Sequence, residues 1–105
     1  MGKPYFVYLL RCADHSLYTG ITTDVSRRFA EHGGKPAGAK YTAAHTPVRM
    51  ERVWRCADRS LASRLEYAVK TLTHAQKEQL ISNPDTLSAL LGNRIAVEHY
   101  HAVTN

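Results

Sequence analysis

YFVYLLRCADHSLYTGITTDVSRRFAEH, residues Tyr5 to His32, is the stretch whose reading decides the fold. Tyr5 to Cys12 is a nearly unbroken apolar run rich in aromatic and β-branched side chains, the pattern of a strand covered on both faces. Ala13, Asp14, His15 and Ser16 read as a turn. Leu17 to Thr22 then reads as a second strand returning antiparallel, since about four polar residues make an ordinary hairpin loop. Tyr8 and Tyr18 are expected on neighbouring strands. Gly20 falls inside the second strand, where glycine weakens pairing and signals a bulge or a close approach to the backbone. Thr23 or Asp24 is placed to cap a helix whose apolar contacts begin at Val25 and return at Phe29. Arg28 and His32 share i, i+4 spacing on an adjacent face. A hairpin bearing two tyrosines thus leads into a helix bearing a fixed cation and a titratable imidazole, a combination suited to phosphate chemistry.

Downstream, GGKPAGAKYTAAHTP (residues 33–47) is too rich in Gly, Pro and Ala for a regular element over most of its length. Lys40, Tyr41 and Thr42 offer a charge, a stacking ring and a hydroxyl, which suit a nucleic-acid strand lying across the surface; the plain alternative is a solvated loop. Val48 to Ala57 reads as a third strand of imperfect alternation, whose Arg49, Arg52 and Arg55 either extend a basic face or form the wet side of an edge strand. Asp58 or Ser60 caps an amphipathic helix carrying Leu61, Leu65, Ala68, Val69 and Leu72 at helical spacing. Glu66 lies at the border of that apolar stripe, placed either to pair with Lys70 at i, i+4 or to face a cleft. Thr73 and Gln76 have capping-box spacing ahead of a short helix, and Asn83 with Pro84 opens another over TLSALL, closed by Gly92. Both are expected to pack over the open side of the sheet. The closing RIAVEHYHAVTN reads as a loose tail, and His99 and His101 within it would need a third ligand to hold a metal.

The architecture expected from these elements is a small α+β domain, a three-stranded antiparallel sheet flanked by helices. A chain of 105 residues is one domain by length, and 44% apolar with 22% charged residues is a globular composition. No apolar run reaches the roughly 18 residues of a membrane span, and MGKPYFVYLL reads as the first strand rather than a signal peptide. Cys12 and Cys56, the only cysteines, lack C-x-x-C spacing and read as reduced thiols packed in or near the sheet, consistent with a cytoplasmic protein. Net charge is +5, and it is uneven: residues 1–64 hold 11 Lys and Arg against 5 Asp and Glu, whereas residues 65–105 hold 3 against 4. The basic surface belongs to the part with the tyrosines, as for a polyanion partner. Neither G-x-x-x-x-G-K-[ST] nor G-x-G-x-x-G occurs, so nucleotide-binding loops of those kinds are excluded.

FVY at Phe6 to Tyr8, YTG at Tyr18 to Gly20, Arg28 ten residues after Tyr18, and His32 four further on together resemble the GIY-YIG nuclease family. The likeness runs from Tyr5 to Leu72 and is nearest to small single-domain bacterial members and to the nuclease half of eukaryotic junction cutters. Phe6 stands where the first motif has glycine, Thr19 is central in the second, and Ile21 follows it where some repair members carry lysine. The resemblance implies one nuclease domain over residues 1–92, with its motif core at 5–72 and a C-terminal tail at 93–105. It also implies that Tyr8, Tyr18, Arg28 and Glu66 share one cleft, with His32 as a further catalytic candidate and Glu66 as metal ligand for a hydrated Mg²⁺ or Mn²⁺. Arg28 would contact non-bridging phosphate oxygens, Tyr8 would act as base with Tyr18 as partner or substitute, and His32 would share proton transfer or bind phosphate. Arg27, Lys35, Lys40, Tyr41 and Thr42 are the expected DNA contacts.

The activity so implied is a metal-dependent endonuclease acting on DNA, single-stranded or branched, in repair or recombination, with a protein partner for targeting left open. Two alternatives also stay open: a nucleic-acid-binding module with weak or no catalysis, and a nuclease subunit activated by a partner.

Overall fold

The structure is a computed structural model and describes residues 3–32 and 47–103. The chain runs β1 (Tyr5–Cys12), β2 (Leu17–Thr22), α1 (Val25–His32), β3 (Pro47–Cys56), α2 (Arg59–Lys70), α3 (His74–Ser82), α4 (Thr86–Leu91), a 3-10 turn (Val97–His99) and β4 (His101–Ala102). All strand pairs are antiparallel, in the order β2-β1-β3-β4. The hairpin β1–β2 forms where expected. Its turn is held by Cys12 N to Ser16 O at 3.0 Å and by Asp14, whose Oδ1 accepts from Ser16 Oγ at 2.6 Å. His15 takes the left-handed conformation that lets the chain reverse, at φ 70°.

The sheet has four strands rather than the three expected. Residues read as a loose tail instead return to the sheet, where Trp54 pairs with Ala102 and Arg55 with His101. The anchor is Tyr100, which is buried and donates from its hydroxyl to Leu61 O at 2.6 Å. Burying a ring with its hydroxyl satisfied fixes the adjoining backbone against the free side of β3. The imperfect alternation of β3 also has a cause. Leu9 pairs with Arg52 but Leu10 with Met50, so Glu51 is the extra residue of a bulge and the side-chain period shifts by one there.

Strand alternation gives the sheet two faces. Val7, Leu9, Trp54 and Cys56 point to one, where they form a core with Ala62, Leu65, Ala68 and Val69 of α2 and with Leu80, Leu87 and Leu91 of α3 and α4. Cys12 and Cys56 are buried free thiols, as the sequence suggested. Asp58 caps α2, accepting from Leu61 N at 2.9 Å, and Thr73 with Gln76 forms the expected capping box. Asn83 does not cap α4: its side chain accepts from Asp85 N at 3.0 Å, and the helix starts at Thr86.

Two arginines fasten α3 to the sheet. Arg11 donates from Nη1 and Nη2 to the two Glu78 carboxylate oxygens at 2.5 and 2.6 Å, and from Nε to Glu51 at 2.9 Å. Arg52 donates to the carbonyls of Leu80 and Ile81 at the end of α3, where a cation also suits the helix dipole. Arg52 is therefore neither part of a basic face nor the wet side of an edge. Among the described residues no helix is long and apolar enough to cross a membrane.

Candidate functional site

The opposite face of the sheet carries Tyr8, Tyr18 and Gly20. Tyr8 sits on the central strand β1 directly across from Gly20 on β2, and its side chain is wholly buried. The glycine is needed there. A Cβ built at Gly20 would lie 2.4 Å from Tyr8 Oη and 2.6 Å from its Cζ, so the close approach expected from the sequence is that of the Tyr8 ring lying over the β2 backbone. Two positions earlier, Tyr18 places its ring centroid 6.2 Å from that of Tyr8, tilted by 44°.

Helix α1 brings the cation. Asp24 caps it, accepting from Arg27 N at 3.0 Å, while Thr22 Oγ1 accepts from Asp24 N at 3.0 Å and fixes the passage from strand to helix. Arg28, one turn in, donates from Nε to Tyr8 Oη at 3.3 Å and from Nη1 to Glu31 Oε1 at 3.3 Å. Its side chain is 40% exposed, so with Nε on the tyrosine and Nη1 on Glu31 part of the guanidinium still faces solvent. The sequence reading missed Glu31, though its i, i+3 spacing from Arg28 was a usable signal.

Burial pushes the Tyr8 phenol above its ordinary value of 10.0; the hydrogen bond and positive charge of Arg28 oppose the rise, and Tyr18 and Glu66 add to it when charged. The same bond to Tyr8 holds the Arg28 guanidinium more firmly in its charged form. Tyr8 is thus protonated at neutral pH in the free protein, and its oxygen accepts from Arg28. Glu66 is the weakest of these influences on Tyr8, acting by charge from 58 positions away in sequence.

Glu66 is half-buried on α2 and pairs with Lys70 at 3.3 Å, the i, i+4 contact foreseen as one alternative. The pair is the alternative that the geometry shows. Among the described residues no group of three or more His, Cys, Asp and Glu side chains gathers as a metal centre. A hydrated Mg²⁺ or Mn²⁺ keeps most of its waters and needs one or two carboxylates plus phosphate, so Glu66 fits one where the exposed Lys70 ammonium gives way to it. His99 and His101 acquire no third ligand among the described residues.

Of the expected DNA contacts, Arg27 lies on the exposed side of α1, 63% accessible, with Nε 3.9 Å from Glu31. Lys35, Lys40, Tyr41 and Thr42 lie outside the described residues, as does the side chain of His32. The structure therefore brings together Tyr8, Tyr18, Gly20 and Arg28 by direct geometry, while the contact it gives Glu66 is with Lys70.

A family model described as the GIY-YIG catalytic domain matches residues 4–79. The chain is 47% identical over 77 residues to UPF0213 protein DP2720 of Desulfotalea psychrophila, covering 73% of this chain and 70% of that one. It is 45% identical over 91 residues to UPF0213 protein YhbQ of Salmonella typhimurium, covering 86% and 89%. Among solved structures, the solution NMR structure of UPF0213 protein BH0048 from Bacillus halodurans is 46% identical, covers 75% of this chain and 83% of that one, and has a TM-score of 0.49.

Proposed function

The chain belongs to the GIY-YIG catalytic-domain family, a nuclease family, and from that premise we propose that it is a divalent-metal-dependent endonuclease hydrolysing phosphodiester bonds in DNA. Single-stranded or branched DNA is the proposed substrate, and repair or recombination in the cytoplasm the proposed setting. The observation that carries the reading is the Arg28 Nε to Tyr8 Oη bond at 3.3 Å, made over the bare backbone of Gly20. Hydrophobic packing alone does not select an arginine partner for a buried phenol and an absent side chain beneath it.

In this reading Arg28 turns the solvent-facing part of its guanidinium to the non-bridging oxygens of the phosphate, where it stabilises charge developing in the transition state. Glu66 would hold Mg²⁺ or Mn²⁺ through one carboxylate oxygen, and the ion would supply positive charge to neutralise the leaving oxygen. Tyr8 is the base. As phenolate it would take the proton of the water that attacks phosphorus as the bond to the leaving oxygen breaks; burial disfavours that phenolate and the Arg28 hydrogen bond and charge favour it. Tyr18, with its ring centroid 6.2 Å from that of Tyr8, keeps the phenol oriented or takes over the proton. His32, one turn after Arg28, is the proposed second phosphate contact or proton carrier, and Lys35, Lys40, Tyr41 and Thr42 the proposed strand contacts.

The reading is tested with Glu66→Gln, whose i, i+4 contact with Lys70 is a surface pair of small stability value. The variant is expected to unfold at the wild-type midpoint, to lose metal-dependent cleavage by at least about a hundredfold, and to show no difference from wild type in chelator. Wild-type cleavage rates in Glu66→Gln would remove the carboxylate from the scheme.

A second reading, a nuclease subunit switched on by a partner, is favoured by the wholly buried Tyr8 and the Glu66 pairing to Lys70. Cleavage that appears only on addition of a cell fraction supports it, and turnover by the purified chain alone removes it.

A further inference from the structure

A second polar concavity lies on the far side of α2 from Glu66. The C-terminal segment 92–100 crosses α2 there and encloses a cleft of about 430 Å³, whose lining includes Arg64, Asn93, Arg94, His99 and Tyr100 and no carboxylate. The cleft is built rather than incidental. Tyr100 closes its floor through the 2.6 Å bond to Leu61 O, and Arg94 is held by donating to Thr71 Oγ1 at 2.8 Å. Arg64 makes no hydrogen bond or ion pair with any described residue, and the His99 imidazole has none either. Two guanidiniums, an imidazole and an amide line one cleft whose nearest carboxylates are Asp58, which acts electrostatically on Tyr100, and Glu98, which lines an adjoining pocket with His99; the balance is positive, and the planar forks of arginine suit phosphate.

The exposed face of α2 connects this cleft to Glu66. At about 100° per residue, Tyr67 stands about 100° around the helix from Glu66, and Arg64 about 160° around in the same direction. Tyr67 is 70% exposed, the most accessible large apolar side chain among the described residues. An aromatic ring held in solvent between a catalytic carboxylate and an arginine cleft has the chemistry of a base-stacking platform.

Resting on the nuclease reading above, we propose that the outer face of α2 is a track for a single nucleic-acid strand. The strand leaves Glu66, stacks one base on Tyr67, and places a downstream phosphate in the cleft between Arg64 and Arg94. The helix is roughly 10 Å across, so the track adds a contact remote from the scissile bond, whose binding energy serves to position the substrate.

Fluorescence anisotropy with a labelled single-stranded oligonucleotide, in chelator so that nothing is cut, tests the track. The double variant Arg64→Gln, Arg94→Gln is expected to raise the Kd about tenfold and to reduce the salt slope by about 1.4, two phosphates at 0.7 each. Tyr67→Ala is expected to raise it by about tenfold and Tyr67→Trp to retain wild-type affinity, which a merely structural role for an exposed ring does not produce. Titration with inorganic phosphate alone, followed by the His99 ring resonances, separates the two sources of a phosphate group. Shifts with the oligonucleotide at much lower concentration than with free phosphate support the track; equal or exclusive response to free phosphate overturns it. Binding unchanged in the double variant, or no oligonucleotide binding by wild type, also overturns it. Cleavage by wild type with unchanged binding in the variants removes the track and leaves the nuclease, whereas variant-sensitive binding without cleavage under any divalent metal does the reverse.

Discussion

Gly20→Ala separates two physical accounts of the site by the sign of its effect. Gly20 has no positive φ, so its backbone accepts alanine, and strand propensity alone predicts a gain of about 0.5 kcal/mol or more from reduced freedom of the unfolded chain. The structure predicts the opposite. The new methyl would lie 2.4 Å from Tyr8 Oη and 2.6 Å from Cζ, and Tyr8 is wholly buried on the central strand, so the ring has no free space to retreat into. Overpacking of this kind costs about 1–3 kcal/mol. With a urea m-value of about 2 kcal/mol/M, a 2 kcal/mol loss lowers the unfolding midpoint by about 1 M. Any retreat of the ring lengthens the 3.3 Å bond to Arg28, and a displacement of about 1 Å at a reacting group costs about a hundredfold in rate. A double-mutant cycle identifies the contact. In a Tyr8→Leu background, Gly20→Ala is expected to be neutral or mildly stabilising, a coupling of about 2 kcal/mol. Tyr8→Phe is expected to give only partial relief, because the Cζ contact survives removal of the hydroxyl. A stabilised, fully active Gly20→Ala protein would refute the close approach and with it the placement of Tyr8.

Three further outcomes follow from the same structure. Tyr8, Tyr100 and Cys56 are all pushed up by burial from 10.0, 10.0 and 9.0; their protonated forms are favoured in the folded state, so their contribution is full below pH 9 and is lost as pH rises, first through Cys56 above 9.0 and then through the tyrosines above 10.0, measurable as a urea midpoint that falls from pH 9 upward. The Arg11 side chain is 14% exposed and clamps Glu51 and Glu78. Arg11→Ala is expected to cost about 2 kcal/mol and to raise amide exchange in α3; and since the Arg11 hydrogen bond holds Glu78 below its ordinary 4.5, the clamp is lost as pH falls below that value. Thr19 Oγ1 is buried with no hydrogen-bond partner among the described residues, so Thr19→Val is expected to raise stability by about 1 kcal/mol in chemical denaturation, and a loss would show that the hydroxyl has a partner in solution.

The hairpin, α1, β3 and α2 were legible because each is announced by local chemistry: an apolar run, a polar turn, Asp24 and Asp58 as caps, a stripe from Leu61 to Val69. The fourth strand was not. His101 and Ala102 pair with β3 through backbone groups that carry no side-chain signature, and what holds them is Tyr100 reaching Leu61, 39 positions away. Arg52 looked like surface charge for a similar reason, since its carbonyl partners at Leu80 and Ile81 lie on a helix nothing near Arg52 announces. Gly20 could be read as a demand for close approach, yet the residue making that approach emerged only from the β1–β2 register. Composition could place two tyrosines and an arginine near each other but could not pair Arg28 with Tyr8; the family resemblance anticipated the cluster, and the geometry supplies the bond. Arg94 and His99 sat in what looked like a tail, so no local pattern joined them to Arg64 across α2.

The most direct test of the nuclease reading is cleavage of end-labelled single-stranded, duplex and branched DNA with Mg²⁺, Mn²⁺ or chelator, comparing wild type with Tyr8→Phe, which removes the Arg28 acceptor and little volume. Metal-dependent cutting by wild type that rises with pH as the phenol ionises, and is lost at least about a hundredfold in Tyr8→Phe, is the predicted result. Cutting at wild-type rates by Tyr8→Phe, or no cutting of any substrate by the wild-type chain under either metal, would contradict it.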